Sequence, residues 1–308
     1  VMASKVPAAR QHELGEYVLK AMGFDFGAGR LDTTTHPFCS GMAPGDTRLT
    51  TRYRDEGFGD ALYGSMHEAG HGLYEQGLPK SQSIAGLPAF GRPLAQSISL
   101  GIHESQSRMW ENFVGRSREF WVWLWPTAQE KLGGLSGFSV DEVYAAVNTA
   151  RPSYIRVEAD EATYNLHVML RFEIERGLIS GALAVKDLPG EWNARFKSYL
   201  GVDVPDDRRG CLQDVHWAFG LIGYFPTYTL GNLYAAQLWE TINQQIPDLK
   251  ARMGRGDFAG LKQWLNTNIH AHGKRYRAEE LCQMLTGKAL GADPLMRHLE
   301  GKLRPLYR

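Results

Sequence analysis

Two histidines and a glutamate stand in the order His67-Glu68-Ala69-Gly70-His71. Composition alone would produce an HExxH pattern somewhere in this chain with a probability of about 0.02, so the spacing is informative. Residues four apart on a helix project from one face, so His67 and His71 can share a divalent cation. Glu68 lies about 100° further round, where it reaches a water on the metal rather than the metal. A catalytic centre of this kind needs a third protein ligand and an open position. No HxxGxxH extension follows His71, which argues against a three-histidine set. The candidate is Glu104: with Ser107, Arg108 and Glu111 it forms a polar stripe at i, i+3, i+4 and i+7 on an otherwise apolar helix. An inward-facing carboxylate there needs a cation. His103 competes for the role, and ordinary ion pairing of Glu104 would leave the same pattern. Glu75 is too close in sequence to bend back from the helix that carries the histidines.

The elements that must position these groups read mostly as helices. With His67 at 0°, His71 falls at about 40°, while Phe58, Leu62, Met66, Ala69 and Leu73 cluster at about 180–260°. A helix over 58–76, capped by Gly77, therefore buries one side and offers its ligands on the other, with Gly64 leaving the ligand face clear. Helices are also expected over 6–23, over 96–124 with a stop at Pro126, and over 160–176. From Leu188 onward four or five more are expected, broken at Pro205, Pro226, Pro247, Gly273 and Pro294. Thr47–Arg54 alternates β-branched or apolar residues with Arg and Thr, which predicts a short strand. Between the helices, 77–92 is rich in Gly and Pro and reads as a long irregular loop of the kind that forms lids.

Composition bounds the class. Lys+Arg and Asp+Glu are 34 each, so net charge is zero, which excludes a strongly basic nucleic-acid binder. The longest apolar run, 120–126, is far short of the roughly 20 residues of a membrane span. Val1–Arg10 contains no secretory apolar core. Cys39, Cys211 and Cys282 are odd in number and form no CxxC pair, which points to a reducing cytoplasm. With no Gly/Ser or charged linker, 1–308 reads as one catalytic body, and the absent initiator Met leaves room for a longer chain.

The motifs taken together resemble the M32 metallocarboxypeptidases, the carboxypeptidase Taq family of gluzincin zinc peptidases. They run in the family's order: His36-Pro37-Phe38, the DxRxT stretch from Asp46 to Thr50, the HExxH, His103-Glu104-Ser105-Gln106, IRxxAD over Ile155–Asp160, and GxxQDxHW over Gly210–Trp217. The resemblance implies a mainly α gluzincin-type peptidase with a deep cleft and a small β element beside the HExxH helix. It implies zinc on His67, His71 and Glu104, with Co2+ as a working substitute, and Glu68 as general acid/base. Members of the family are considerably longer, with a helical region before the HPF motif that this chain mostly lacks. The connection between His71 and Glu104 is several residues longer than the family suggests.

Further roles follow from the chemistry of peptide hydrolysis. A tetrahedral intermediate needs donors beyond the metal, and by analogy with related gluzincins these are His216 and Tyr228, with Tyr224 as the alternative. Aromatic core packing would produce the same tyrosine pattern. An exopeptidase must also hold a free carboxylate, for which Arg is suited. Arg156 is the first choice, assisted by His36 or Arg48. The strand with Arg48 and Thr50 is expected to offer an edge to the extended substrate. Asp160 and Asp214 are candidates to orient a zinc-bound imidazole. The expected protein is a cytoplasmic, homodimeric zinc carboxypeptidase with broad specificity and poor release of proline. A related zinc oligoendopeptidase and a non-catalytic peptide-binding protein are the alternatives.

Overall fold

In the computed structural model, which describes residues 1–2 and 4–307, the alternating segment forms strand β3 (Asp46–Thr51). It is flanked by β1 (Gly29–Thr33) in parallel and β2 (Cys39–Ala43) in antiparallel register. The order β1-β3-β2 puts β3 in the centre, with its ladder groups taken on both sides. The expectation that this strand offers an edge to substrate is therefore wrong; the edges belong to β1 and β2. Those two strands escape sequence reading because five-residue runs with glycine and short side chains carry little β signal.

Helix α1 (Ala8–Met22) stops where expected: Gly23 takes φ +90° and donates its N–H to the carbonyls of Leu19 and Lys20. Helix α2 (Phe58–Gly77) buries Phe58, Leu62, Met66, Ala69 and Leu73 as the 3.6-residue period requires. A Cβ at Gly64 would lie 3.4 Å from Thr51 Oγ1 of β3. The following connection is less irregular than expected, since β4 (Ser83–Ile84) and β5 (Leu87–Pro88) form a small hairpin through Ala85 and Gly86, both at positive φ.

The long helix expected over 96–124 is instead three pieces. Helix α3 (Leu100–Arg108) starts at Ser99, whose hydroxyl accepts the Ile102 N–H at 3.1 Å. A π-helical turn over Met109–Val114 ends at Gly115, and Ser117 caps α4 (Arg118–Leu132). Pro126 lies inside α4 rather than ending it. The carbonyl it leaves without an intrahelical donor belongs to Val122, an exposed residue.

Helices α5 (Val140–Val147), α6 (Tyr164–Ser180) and α7 (Leu188–Leu200) follow. The expected start of α6 at Asp160 is four residues early, because Asp160 caps the preceding turn by accepting from the Ala162 and Thr163 N–H groups. The chain then forms α8 (Pro226–Gln245), α9 (Leu249–Met253), α10 (Ala259–Asn268), α11 (Ala278–Thr286) and α12 (Asp293–Leu303). Pro226 and Pro294 sit in first helical turns, where no intrahelical N–H is required, so they begin helices rather than break them.

Contacts group the chain into two compact units: Val1–Val147 with Gly231–Glu300, and Asn148–Leu230 with the residues from Gly301. In the first unit α1, α2 and α4 share an apolar core that includes Leu14, Met66, Trp110 and Trp121. In the second, α6 and α7 pack Leu170, Ile174, Trp192 and Phe196 together. The chain leaves and re-enters the first unit without a flexible linker, so composition carries no mark of the division.

One contact in the first unit is unusually close. A Cβ at Gly70 would lie 2.6 Å from both the Gln106 carbonyl oxygen and Ser107 Cα, so α2 and α3 touch backbone to backbone. Gly70→Ala must push α3 away, and should lower stability by about 1–3 kcal/mol. Urea unfolding of the two proteins measures it; an unchanged midpoint would refute the close fit.

Candidate active site

The α2–α3 contact carries Glu104 to the two histidines. Glu104 Oε2 lies 3.3 Å from His71 Nε2 and 3.7 Å from His67 Nε2. One ligand atom from each of the three residues falls within 4.8 Å of the others. The Nδ1 atom of each ring is held from behind. His67 Nδ1 donates to Glu111 Oε2 at 2.9 Å, and His71 Nδ1 donates to the His103 carbonyl at 3.1 Å. Both Nε2 atoms are thereby turned toward Glu104, as metal-ligating imidazoles require. Two half-buried imidazoles and one buried carboxylate, convergent on one point, fit a divalent cation.

The orienting partners differ from those expected. Asp160 caps a turn and Asp214 binds arginines, whereas Glu111 and the His103 carbonyl do the orienting. Glu111 was visible in the sequence as the last member of the Glu104 stripe, one helical face on. The His103 imidazole is not among the three converging ligands; its Nε2 lies 3.0 Å from Glu75 Oε1.

The electrostatics follow from burial among many carboxylates. Glu104 is 4% exposed, and burial alone would raise its pKa. Arg108, whose Nε donates to it at 2.7 Å, with His67 and His71, instead holds it well below the usual range. Burial likewise opposes ionisation of Glu111, but Arg108, His67 and Arg116 bring it to about 2. Glu68 has no such partner: burial, helped by Glu104 and Glu111 against His67 and His36, pushes it up to about 7. A carboxyl poised there exchanges protons near neutrality. For His67 burial opposes protonation, yet Glu104, Glu111 and Glu68 raise it to about 9.

His36 lies within electrostatic reach of Glu68 on an exposed stretch. Arg48 is exposed on β3 and forms two hydrogen bonds with Asp46, both 2.9 Å.

The second unit assembles its own polar cluster. Arg156 is 3% exposed; Nε and Nη2 donate to Asp214 Oδ1 at 3.1 and 2.9 Å, and Nη1 donates to the Tyr164 hydroxyl at 2.7 Å. Its guanidinium lies 4.5 Å from the Tyr228 ring centre. Arg171 Nε donates to the other Asp214 oxygen at 2.7 Å. Burial would raise Asp214, but Arg171 and Arg156 keep it low. His216 Nε2 is 2.8 Å from the Tyr228 hydroxyl, and the Tyr224 ring centre is 5.4 Å from that of His216. Arg156, His216, Tyr224 and Tyr228 are thus neighbours in this unit.

Arg171 and Glu175 were not assigned roles from the sequence. Glu175 is buried and accepts from Trp217 Nε1 at 2.8 Å and the Gly223 N–H at 3.1 Å, pinning the segment that bears His216. On α6, Tyr164, His167 and Arg171 recur at helical spacing and Glu175 lies one turn further on, a signal that would have reached it.

The family model described as carboxypeptidase Taq (M32) metallopeptidase matches residues 1–303. The chain belongs to this family. It is 46% identical over 301 residues to thermostable carboxypeptidase 1 of Thermus thermophilus, covering 98% of this chain and 58% of that protein. It is 43% identical over 302 residues to carboxypeptidase 1 of Bacillus subtilis, covering 98% and 59%. Among solved structures, the M32 carboxypeptidase of Deinococcus radiodurans superposes with a TM-score of 0.94 at 44% identity, covering 99% of this chain and 61% of that one. Metallocarboxypeptidase 1 of Trypanosoma cruzi gives 0.92 at 37%, covering 98% and 60%. The chain therefore spans less than two thirds of the length of these relatives.

The raised pKa of His67 sets a pH dependence. Between its ordinary 6.5 and about 9 the folded chain keeps a proton that the unfolded chain has released. The stability this proton contributes is complete below pH 6.5 and lost as pH rises through about 9. Without added metal, unfolding free energy should fall over that window, and His67→Gln should flatten the slope. Equal slopes in the two proteins would show that His67 does not hold the proton.

Proposed function

We propose that this chain carries a zinc metallocarboxypeptidase activity that releases amino acids one at a time from peptide C-termini. The observation that carries the reading is the convergent His67–His71–Glu104 cluster beside Glu68, in a chain of the M32 family. His67, His71 and Glu104 would hold the ion, Zn2+ by preference and Co2+ as a substitute. When bound, the ion supplies Lewis-acid polarisation.

Glu68 takes the proton of the attacking water. Glu68 then delivers that proton to the amine as the C–N bond breaks. His216 and Tyr228 donate hydrogen bonds to the oxyanion, with Tyr224 as the alternative donor; their mutual hydrogen bond supports a shared role. Arg156 holds the free carboxylate of the substrate, assisted by His36 and Arg48, and Asp214 with Tyr164 keeps its guanidinium plane fixed. Side-chain tolerance is broad and proline is released poorly.

The three cysteines are free, which favours a reducing cytoplasm. Among the described residues, no helix is long and apolar enough to cross a membrane. The working assembly is a homodimer with peptides as its partners, and light scattering should return twice the chain mass; a monomer mass would refute it.

Two further measurements test the chemistry. Glu68→Gln should retain bound metal and lose at least about 100-fold in kcat; turnover at the parental rate would remove Glu68 from the mechanism. A peptide and its C-terminal amide separate this reading from an oligoendopeptidase, and only the free acid should be cleaved efficiently. Arg156→Ala should reduce cleavage of the free acid far more than any residual cleavage of the amide. Equal rates on the two peptides would sink the carboxypeptidase reading, and no cleavage of either would favour a peptide-binding protein.

A further inference from the structure

His67 and His71 are followed on the same face of α2 by Glu75, at i+8, one turn beyond the second ligand. Its carboxylate does not point freely to solvent. Lys80, itself 7% exposed, donates to Glu75 Oε2, and His103 Nε2 lies 3.0 Å from Oε1. Strand β2 closes the other side, since a Cβ at Gly41 would sit 2.1 Å from Glu75 Oε2. Burial would raise the Glu75 pKa, but His103 and Lys80 bring it down to about 2, so the group is a fixed anion. A buried ion pair of this kind contributes little to net stability, because desolvation offsets most of the attraction.

Its position suggests another use. The His103 ring stacks on the His71 ring, with centroids 4.5 Å apart and planes 24° apart. The carbonyl of the same residue accepts the His71 Nδ1–H. One residue therefore bears on both the face and the back of the ligand, and Glu75 is what holds that residue's side chain.

We propose that Glu75, braced by Lys80, is a positioning residue for the metal centre: it fixes the His103 ring against His71 and so keeps His71 Nε2 directed beside Glu104. The same bracing keeps a carboxylate one turn away from competing with Glu104 for the ion. The inference rests on the metal reading above.

The test uses the full chain, with Co2+ as the probe, titrated against a competing chelator while its visible absorption reports ligand geometry. Glu75→Ala and His103→Phe should each weaken Co2+ binding about 10-fold or more and change the spectrum. His103→Phe keeps a ring against His71 and removes only the bond to Glu75. Parental affinity and spectrum in both variants, even with a lowered thermal midpoint, would make the Glu75 cluster merely structural and overturn the proposal. Should either variant fail to fold, Glu75→Gln decides: its neutral amide cannot hold Lys80 and His103 as the carboxylate does. Weaker binding with a shifted spectrum then supports the proposal, and parental values overturn it. A parent chain that binds no Co2+ would instead overturn the metal reading itself.

Discussion

At Gly70, in the middle of the HExxH segment, the backbone of α3 comes so near to α2 that no side chain fits between them. The metal centre depends on that approach. Glu104 is a short side chain on a separate helix, and it reaches 3.3 Å from His71 Nε2 only because the two backbones touch. A second glycine secures the other side, since a Cβ at Gly231 on α8 would lie 2.4 Å from Glu104 Cγ. Two missing side chains thus create the slot that one carboxylate fills. Packing at interior density leaves it little freedom to move.

Filling that slot concentrates charge where water cannot screen it. Glu104, Glu111 and Glu68 lie close together, and their fates diverge with their partners. Arg108 neutralises the first two, which stay ionised, while Glu68 receives only weak help and sits near neutrality. One environment therefore makes fixed acceptors of two carboxylates and a proton carrier of the third. The chain's overall charge balance gives no hint of this, because the imbalance is local.

The second unit uses the opposite sign. Asp214 is shared by Arg156 and Arg171, one anion against two buried cations, with Tyr164 and Tyr228 at the guanidinium of Arg156. Buried arginines tolerate this because a planar fork can be held by several acceptors and a ring face at once. Burial still costs Arg171, whose pKa is lowered to about 10. Glu175 performs a related service at the segment of His216, where one carboxylate ties an indole and a backbone amide.

What the sequence by itself determined is local. The opposition of the histidines to the apolar stripe of α2 follows from 100° per residue, and the stripe from Glu104 to Glu111 follows from the same rule. Even there the π-helical turn at Met109–Val114 was invisible, because its extra residue leaves no mark in composition. Alternation revealed β3, and its place in the middle of a sheet depended on two glycine-containing strands with no such pattern. Only tertiary structure decided that Glu75 meets Lys80 and His103, that Asp214 serves arginines rather than a ligand imidazole, and that the chain divides into two units. Arg156 and Asp214 are 58 residues apart, and no periodicity links residues so distant. Such pairs are chosen when buried charges must find partners, which happens only once helices have packed.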